Sequence, residues 1–192
     1  GFVNGHNHMY NVVARGITTD AVVTEFSSFL EDFWWPYVEN RINHEMAEIT
    51  TKRSCVEMIE SGITSFVDIL EAPNAIPGGL EVERKVIEEA GLRAKLSFEA
   101  CQRMSEENGQ TGLKENADFI RNHKGEMVDA ILSTHTLFSC SEEFVKQAKA
   151  MAAVLPPVTA VYSSPLRRAV QTAQAIDFPV QILSGLREIY AG

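Results

Sequence analysis

Two histidines, His6 and His8, lie one residue apart directly after a short apolar run at the start of the sequence. Alternate side chains of a β-strand point to the same side, so both imidazoles can face one divalent metal ion while Asn7 points away. Histidines at this spacing also occur in exposed loops that bind no metal. The preceding apolar strand favours the metal site, because it places the imidazoles at a strand's carboxyl end, where α/β barrels carry their chemistry.

Strands and helices are predicted to alternate through the first 150 residues. Asn43 is a suitable N-cap for a helix over 44–61, and Ser141 is a suitable N-cap for a helix that runs to about residue 154. The other predicted elements are strands that end near residue 4 and lie at 63–69, 92–100 and 128–134, and helices at 24–35 (ended by Pro36), 80–90 and 113–122. This alternation predicts an α/β fold with a parallel sheet and helices packed outside it.

The number of β/α units predicts part of a barrel. A TIM-type (β/α) barrel of eight units needs roughly 250 residues, whereas residues 1–153 supply about four units. Half a barrel has an open sheet edge, and such an edge can pair with another chain. Self-association through that edge is therefore expected.

The pattern changes after Val154, where the run Leu155-Pro156-Pro157 interrupts it. A strand at 159–164, a helix from Pro165 to about 176 and a strand at 179–183 predict a short α/β fragment. The sequence thus predicts two parts, a partial barrel over residues 1–153 and a small fragment over 154–192.

The amino-acid composition argues against some kinds of binding partner and bears on the expected cellular location. The net charge of −9 makes a surface for nucleic-acid phosphates unexpected, and no apolar run approaches the 18 residues that a membrane span needs. The three cysteines, Cys55, Cys101 and Cys140, are an odd number at wide spacings without a Cys-x-x-Cys motif. Reduced thiols and a cytoplasmic location are therefore expected.

Several spaced segments in the first 150 residues resemble the amidohydrolase superfamily, in its deaminase and chlorohydrolase branch. They occur in the family's order, and they are Gly1–His8 with Ala14–Gly16, Gly62–Asp68, Glu89–Ala94 and Ser133–Ser141. The resemblance implies a metal-dependent hydrolase that cleaves a C–N bond of a small-molecule substrate with a metal-activated water.

This resemblance also assigns roles to three histidines. It makes His6 and His8 ligands of a divalent metal ion, with zinc expected, and it makes His135 a substrate contact. A lone histidine at a strand end is otherwise often a hydrogen-bonded core residue. The segment Thr136-Leu137-Phe138 replaces the family's Ala-Pro-Tyr, so the substrate contacts of His135 are expected to differ from the family's.

The family's site needs further groups that have no counterpart in this sequence. These groups are two histidines of later strands, a glutamate that acts as general acid–base, and an aspartate of the last strand. A catalytic zinc typically takes three protein ligands and a water molecule. With only His6 and His8 as evident ligands, weak metal binding is predicted.

Residues 154–192 resemble a different family, the histidine phosphatases, which are similar to phosphoglycerate mutase. The similar segments are Val161–Ala173, and Leu186–Glu188 with Gly192. By this resemblance Arg168 binds a phosphate, for which a guanidinium fork is suited, and Glu188 is the proton donor. The alternative for Arg168 is a solvated side chain at a helix start. The family's Arg-His-Gly nucleophile segment is absent from the sequence, so a covalent intermediate cannot form.

The two resemblances together suggest a chimeric or mis-joined chain, part amidohydrolase barrel and part histidine phosphatase, that is inactive by itself. Three alternatives remain open from the sequence. They are a metal-dependent deaminase-type hydrolase, a phosphate-ester-binding fragment, and an α/β protein without catalytic activity.

Overall fold

The computed structural model of the chain describes residues 1–123, 125–155, 161–163 and 180–182. Contacts between residues divide the chain into two compact units, Gly1–Leu155 and Pro156–Gly192. This division lies close to the boundary between residues 153 and 154 that the sequence pattern predicts.

The elements follow the predicted alternation of strands and helices. The strands are β1 (Phe2–Asn7), β2 (Ile63–Leu70), β3 (Arg93–Ala100), β4 (Val128–Ala130), β5 (Ser133–Thr134), β6 (Val161–Ser163) and β7 (Val180–Ile182). The α-helices are α1 (Phe26–Ser28), α2 (Trp35–Tyr37), α3 (His44–Glu60), α4 (Gly79–Glu89), α5 (Glu106–Asn122) and α6 (Glu142–Ala153). Within the described ranges, 3-10 turns lie at Met9–Ala14, Glu39–Arg41 and Leu137–Ser139, and a π turn lies at Phe29–Trp34.

The sheet of the first unit has the strand order β1-β2-β3-β4, and β5 also pairs with β3. Every pairing is parallel, which confirms the predicted α/β fold with a parallel sheet. Since parallel strands share one direction, the carboxyl ends of β1, β2, β3 and β5 meet at one edge of the sheet. In the second unit the described strands β6 and β7 form a parallel pair, and the predicted helix over 165–176 lies outside the described residues.

The helix caps decide where two of the predicted helices begin. Asn43 accepts a hydrogen bond from the Met46 amide at 2.9 Å, which confirms the predicted start of α3. Ser141 caps α6 in the same way, accepting from the Phe144 amide. These caps satisfy amide groups that have no partner inside the helix.

Helix α5 begins earlier than the sequence predicted, at Glu106 rather than Leu113, and Ser105 caps it. Gly109 and Gly112 precede the helix predicted over 113–122, but both lie inside α5. A Cβ atom at Gly112 would come within 2.7 Å of the Phe98 ring, and one at Gly109 within 2.8 Å of the Cys101 carbonyl oxygen. The glycines therefore allow the helix to lie close to β3.

The aromatic helix predicted over 24–35 also differs from the prediction, because it does not end at Pro36. A π turn over Phe29–Trp34 leads into α2, where Pro36 lies in the first turn. A proline at that position costs no hydrogen bond, since first-turn amides have no helical partner.

Two further properties of the described residues concern the helices and the cysteines. No helix among them is long and apolar enough to cross a membrane. Cys55, Cys101 and Cys140 are all free thiols, and burial raises the pKa of Cys55 to about 11 and that of Cys101 to about 12. Both thiols are therefore protonated and unreactive near neutral pH, while the cytoplasmic location stays a prediction.

The buried carboxyl of Glu83 gives a testable stability effect. Glu83 of α4 is only 1% exposed, one of its oxygens has no hydrogen-bond partner among the described residues, and burial with the nearby charges of Asp68 and Glu115 raises its pKa well above the usual value. A raised pKa in the folded state stabilises the protein below the unfolded pKa, and that contribution is lost as the pH rises through the folded pKa. The stability associated with protonated Glu83 is therefore fully present below about pH 4.5 and is lost progressively as the pH rises from there through the raised pKa of the folded state.

We expect Glu83→Gln to raise the melting temperature at pH 8 by several degrees and to change it little at pH 4.5, because glutamine remains neutral at both. Each kcal/mol corresponds to roughly 2–4 °C in a chain of this size. Thermal unfolding followed by circular dichroism at the two pH values measures the effect. Glu89→Gln, an exposed residue on the same helix, is the matched control. Equal effects of the two substitutions would contradict the expectation.

Candidate active site

The carboxyl end of β1 brings His6 and His8 together. Their Nε2 atoms lie 3.1 Å apart, with the two rings edge to face. The Nδ1 atom of His8 lies 2.8 Å from the carbonyl oxygen of Ile69. Because a carbonyl can only accept, Nδ1 carries the proton, and the lone pair of a neutral His8 ring is on Nε2.

The distance between the two Nε2 atoms fits the spacing of two nitrogen ligands of one zinc ion. With Zn–N bonds of about 2.0–2.1 Å, two ligands of a tetrahedral site are about 3.3 Å apart. The observed separation of 3.1 Å is close to that value. The bond from His8 Nδ1 to a backbone carbonyl is also the outer contact that metal-binding histidines commonly make. His6 and His8 line a cleft of about 460 Å³.

Asp68 of β2 holds the segment that carries the two histidines. Its Oδ1 accepts hydrogen bonds from the Asn7 side chain at 3.0 Å and from the Met9 amide at 2.8 Å. Burial raises the pKa of Asp68 to about 7, although these two hydrogen bonds oppose the shift. The sequence predicts no role for Asp68. Its two hydrogen bonds hold Asn7 and Met9, the residues on either side of His8.

A buried ion-pair network lies beyond the histidine pair, and sequence reasoning missed it. Arg103 contacts Glu71 through Nε and Glu39 through Nη2, the latter at 3.0 Å, and its guanidinium lies 5.1 Å from the centre of the Trp35 ring. Tyr10 donates to the second oxygen of Glu39 at 3.1 Å. Burial and the charge of Glu71 raise the pKa of Glu39 to about 8 against the opposing charge of Arg103.

His135 follows β5 and lies between two carboxylates. Its Nε2 is 3.1 Å from Glu71 Oε2, and its Nδ1 is 2.8 Å from Glu99 Oε2. Burial lowers the pKa of His135, but the contact with Glu99 and the nearby negative charges raise it by more, so this pKa lies above its usual value. The substrate contact that the sequence assigns to His135 stays a prediction.

Contacts link the histidine pair to the ion-pair network. The Tyr10 ring packs edge to face against the His8 ring, with 5.7 Å between centroids, and Tyr10 then reaches Glu39. The other two histidines of the chain lie elsewhere: His44 contacts the carbonyl oxygens of Ala75 and Pro77, and His123 pairs with Glu88.

An open cleft of about 670 Å³ lies beside Arg103. Its apolar wall includes the side chains of Phe26, Leu30, Trp35 and Phe138. An aromatic wall next to a guanidinium suits a flat, partly polar molecule. The residues assigned to phosphate chemistry, Arg168 and Glu188, lie outside the described residues.

The model of the Amidohydrolase family matches residues 1–161. The chain belongs to this family. Among curated proteins, the 5'-deoxyadenosine deaminase of Methanosarcina mazei is 32% identical over 152 residues, covering 78% of the chain and 33% of the relative. The 5-methylthioadenosine/S-adenosylhomocysteine deaminase of Carboxydothermus hydrogenoformans is 31% identical over 149 residues, covering 76% of the chain and 32% of the relative. This amidohydrolase thus spans about a third of the length of these curated relatives.

Solved structures show the same fold. A mutant of atrazine chlorohydrolase TrzN from Arthrobacter aurescens TC1, complexed with zinc and atraton, has a TM-score of 0.65 at 17% identity, over 87% of the chain and 41% of that structure. An amidohydrolase from a Sargasso Sea environmental sample has a TM-score of 0.53 at 18% identity, over 79% of the chain and 36% of that structure. These similarities confirm the resemblance to the deaminase and chlorohydrolase branch, and they give no support to the histidine phosphatase resemblance.

Proposed function

We propose that residues 1–153 form part of the β/α barrel of a metal-dependent amidohydrolase that hydrolyses a C–N bond, as deaminases do. The observation that carries this proposal is the convergence of His6 Nε2 and His8 Nε2 at the carboxyl end of a parallel strand. Family membership supports it independently, since the matched region contains both histidines.

His6 and His8 would hold a zinc ion through their Nε2 atoms. A zinc ion at such a site supplies Lewis-acid activation of a water molecule. The chain's own residues prepare the site: Ile69 fixes the protonation of His8, and Asp68 holds the neighbouring backbone through the Met9 amide. These contacts keep the Nε2 lone pair of His8 directed at the Nε2 atom of His6, 3.1 Å away.

The cleft beside Arg103 and the relatives support one class of substrate. A small molecule with an amino-substituted heterocycle fits the aromatic wall beside Arg103. The names of the curated relatives, which describe deaminases of adenosine derivatives, support this class.

We further propose that a polypeptide of these 192 residues is catalytically inactive. Of its five histidines, His44 and His123 are engaged elsewhere, and His135 is flanked by Glu71 and Glu99. A catalytic zinc with only two protein ligands is bound weakly, and loss of general acid–base help alone typically costs 10²–10⁴-fold.

A chimeric origin remains a proposal that rests on the sequence pattern of residues 154–192 alone. Under it, Arg168 and Glu188 derive from a phosphatase site and can at most position and protonate a phosphate ester. Without a nucleophilic histidine, no phosphatase turnover is expected.

Ammonia release from 5'-deoxyadenosine and hydrolysis of p-nitrophenyl phosphate by the purified chain with added zinc test these proposals. We expect neither rate to exceed that of a control without protein. Ammonia release that His6→Ala abolishes would show a complete deaminase site and contradict the proposed inactivity. Phosphatase turnover that survives His6→Ala but is lost in Arg168→Ala would place the chemistry in the second unit.

A further inference from the structure

The parallel sheet of the first unit has two open edges. Among the described residues, β1 pairs only with β2, and at the other edge the segment 128–134, which contains β4 and β5, pairs only with β3. One side of each edge strand therefore presents backbone amide and carbonyl groups that have no strand partner in the described part of the chain. Such a row of groups can pair with a strand of another chain.

The β1 edge lacks the residues that usually protect an open edge. Phe2 and Val3 are 73% and 72% exposed, although successive side chains point to opposite faces of a strand. Both faces of the start of β1 are thus uncovered. The strand Phe2–Asn7 contains no lysine, arginine, acidic residue or proline, and charges and prolines are what commonly keep edge strands from pairing. At the opposite edge, Ile131 is 39% exposed between β4 and β5.

One face of the sheet is also incompletely covered. The Leu70 side chain of β2 faces helix α4, where a Cβ atom at Gly79 would lie 3.0 Å from it. Alternation along the strand places Val67 and Ile69 on the other face, and both are only half-buried. In a closed barrel each interior layer takes four side chains from alternate strands. Four strands supply two of these four, so the layers need a second set of strands.

We propose that a second copy of this chain covers both edges, so that two copies form one closed eight-stranded barrel. In this dimer, β1 of each protomer pairs in parallel with the segment 128–134 of its partner. Strand polarity favours a second copy, because all four strands run in one direction and a rotation about the barrel axis keeps that direction. Strand number favours it too, since two sets of four give the eight strands of this barrel.

Closure of the barrel limits the assembly to two copies. A two-fold axis along the barrel uses both edges of each protomer, so no open edge is left for a third copy. The carboxyl ends of all eight strands then lie at one end of the barrel, which the two His6–His8 pairs share. The half-buried Val67 and Ile69 become interior residues. This assembly does not depend on the proposed hydrolase activity.

Sedimentation velocity of the full 192-residue chain tests the proposal. We expect a dimer whose fraction rises with protein concentration, and no larger species. Val3→Lys should raise the dissociation constant of the dimer at least tenfold, because it places a charge in the new strand pairing. Val22→Lys changes an equally exposed valine (75%) in the segment before α1 and should leave the dissociation constant unchanged. Circular dichroism confirms that both variants are folded.

Hydrogen exchange of the unsubstituted chain locates the interface independently of any variant. Amide exchange over residues 2–7 and 128–134 should slow at least tenfold between a largely monomeric and a largely dimeric concentration. Exchange in β3, which already has strand partners on both sides, should change less. Unchanged exchange at either edge of the dimer would place the interface elsewhere and overturn the proposal.

Three further outcomes would overturn it. One is a folded chain that stays monomeric at every concentration, which would leave the edges to strands of a longer chain or to another protein. Another is open-ended growth into larger species, which a closed barrel does not allow. The third is equal weakening of the dimer by Val3→Lys and Val22→Lys. None of these outcomes bears on zinc binding by His6 and His8, which titration of the monomeric form measures separately.

Discussion

Arg103→Ala is expected to destabilise the first unit by about 3–5 kcal/mol, the range for removing one partner of a buried ion pair. The guanidinium is 5% exposed and is the only arginine or lysine side chain that pairs with Glu39 and Glu71 among the described residues. Without it, the buried carboxyl groups of Glu39 and Glu71 lose their shared guanidinium, and the negative charge between them must be removed by proton uptake or solvated by entering water. Urea unfolding at pH 7.5 measures the loss.

The pH dependence separates this cause from simple loss of packing. Protonated carboxyls can remain buried without a counter-charge, so the destabilisation should shrink below about pH 5, near the ordinary pKa of a glutamate. Arg53→Ala removes an arginine whose side chain is 58% exposed and which pairs with Glu57 on the surface, and it should cost less than about 1 kcal/mol. A pH-independent loss for Arg103→Ala would contradict the electrostatic explanation.

The second large effect concerns zinc at the histidine pair. His6→Ala should lower the zinc affinity measured by isothermal titration by more than 10–100-fold, which is the cost of losing an outer contact, because it removes one of the two proposed ligands themselves. His44→Ala, which changes a histidine bonded to backbone carbonyls, is the matched control and should leave affinity unchanged. Equal affinities of His6→Ala and its parent would remove His6 from the site.

Much of the fold could be predicted from local sequence patterns. The alternation of β-branched runs with capped helices is a short-range signal, and Asn43 and Ser141 were identified as caps because their side chains bond amides three residues on. The start of α5 was missed because Gly109 and Gly112 resemble loop residues. These glycines are needed because a Cβ atom at either position would clash with β3 or the residue that follows it, and this contact between helix and strand cannot be read from local sequence.

The candidate site was only half predictable for a similar reason. His6 and His8 are two residues apart, so strand geometry alone predicts that they converge. The network around Arg103 instead joins residues 32 and 64 positions distant in sequence. No spacing rule links such residues, and charged residues are solvated more often than buried. Glu71, Glu99 and His135 meet because β3 pairs in parallel with both β2 and β5.

The most direct test of the metal-binding pair is nuclear magnetic resonance of the histidine imidazole nitrogens during a zinc titration. Assignments come from the His6→Ala and His8→Ala variants. We predict that zinc shifts the Nε2 resonances of both His6 and His8, and that Nδ1 of His8 stays protonated and bonded to Ile69 throughout. Zinc that leaves both Nε2 resonances unchanged, while the protein remains folded, would contradict the assignment of this site.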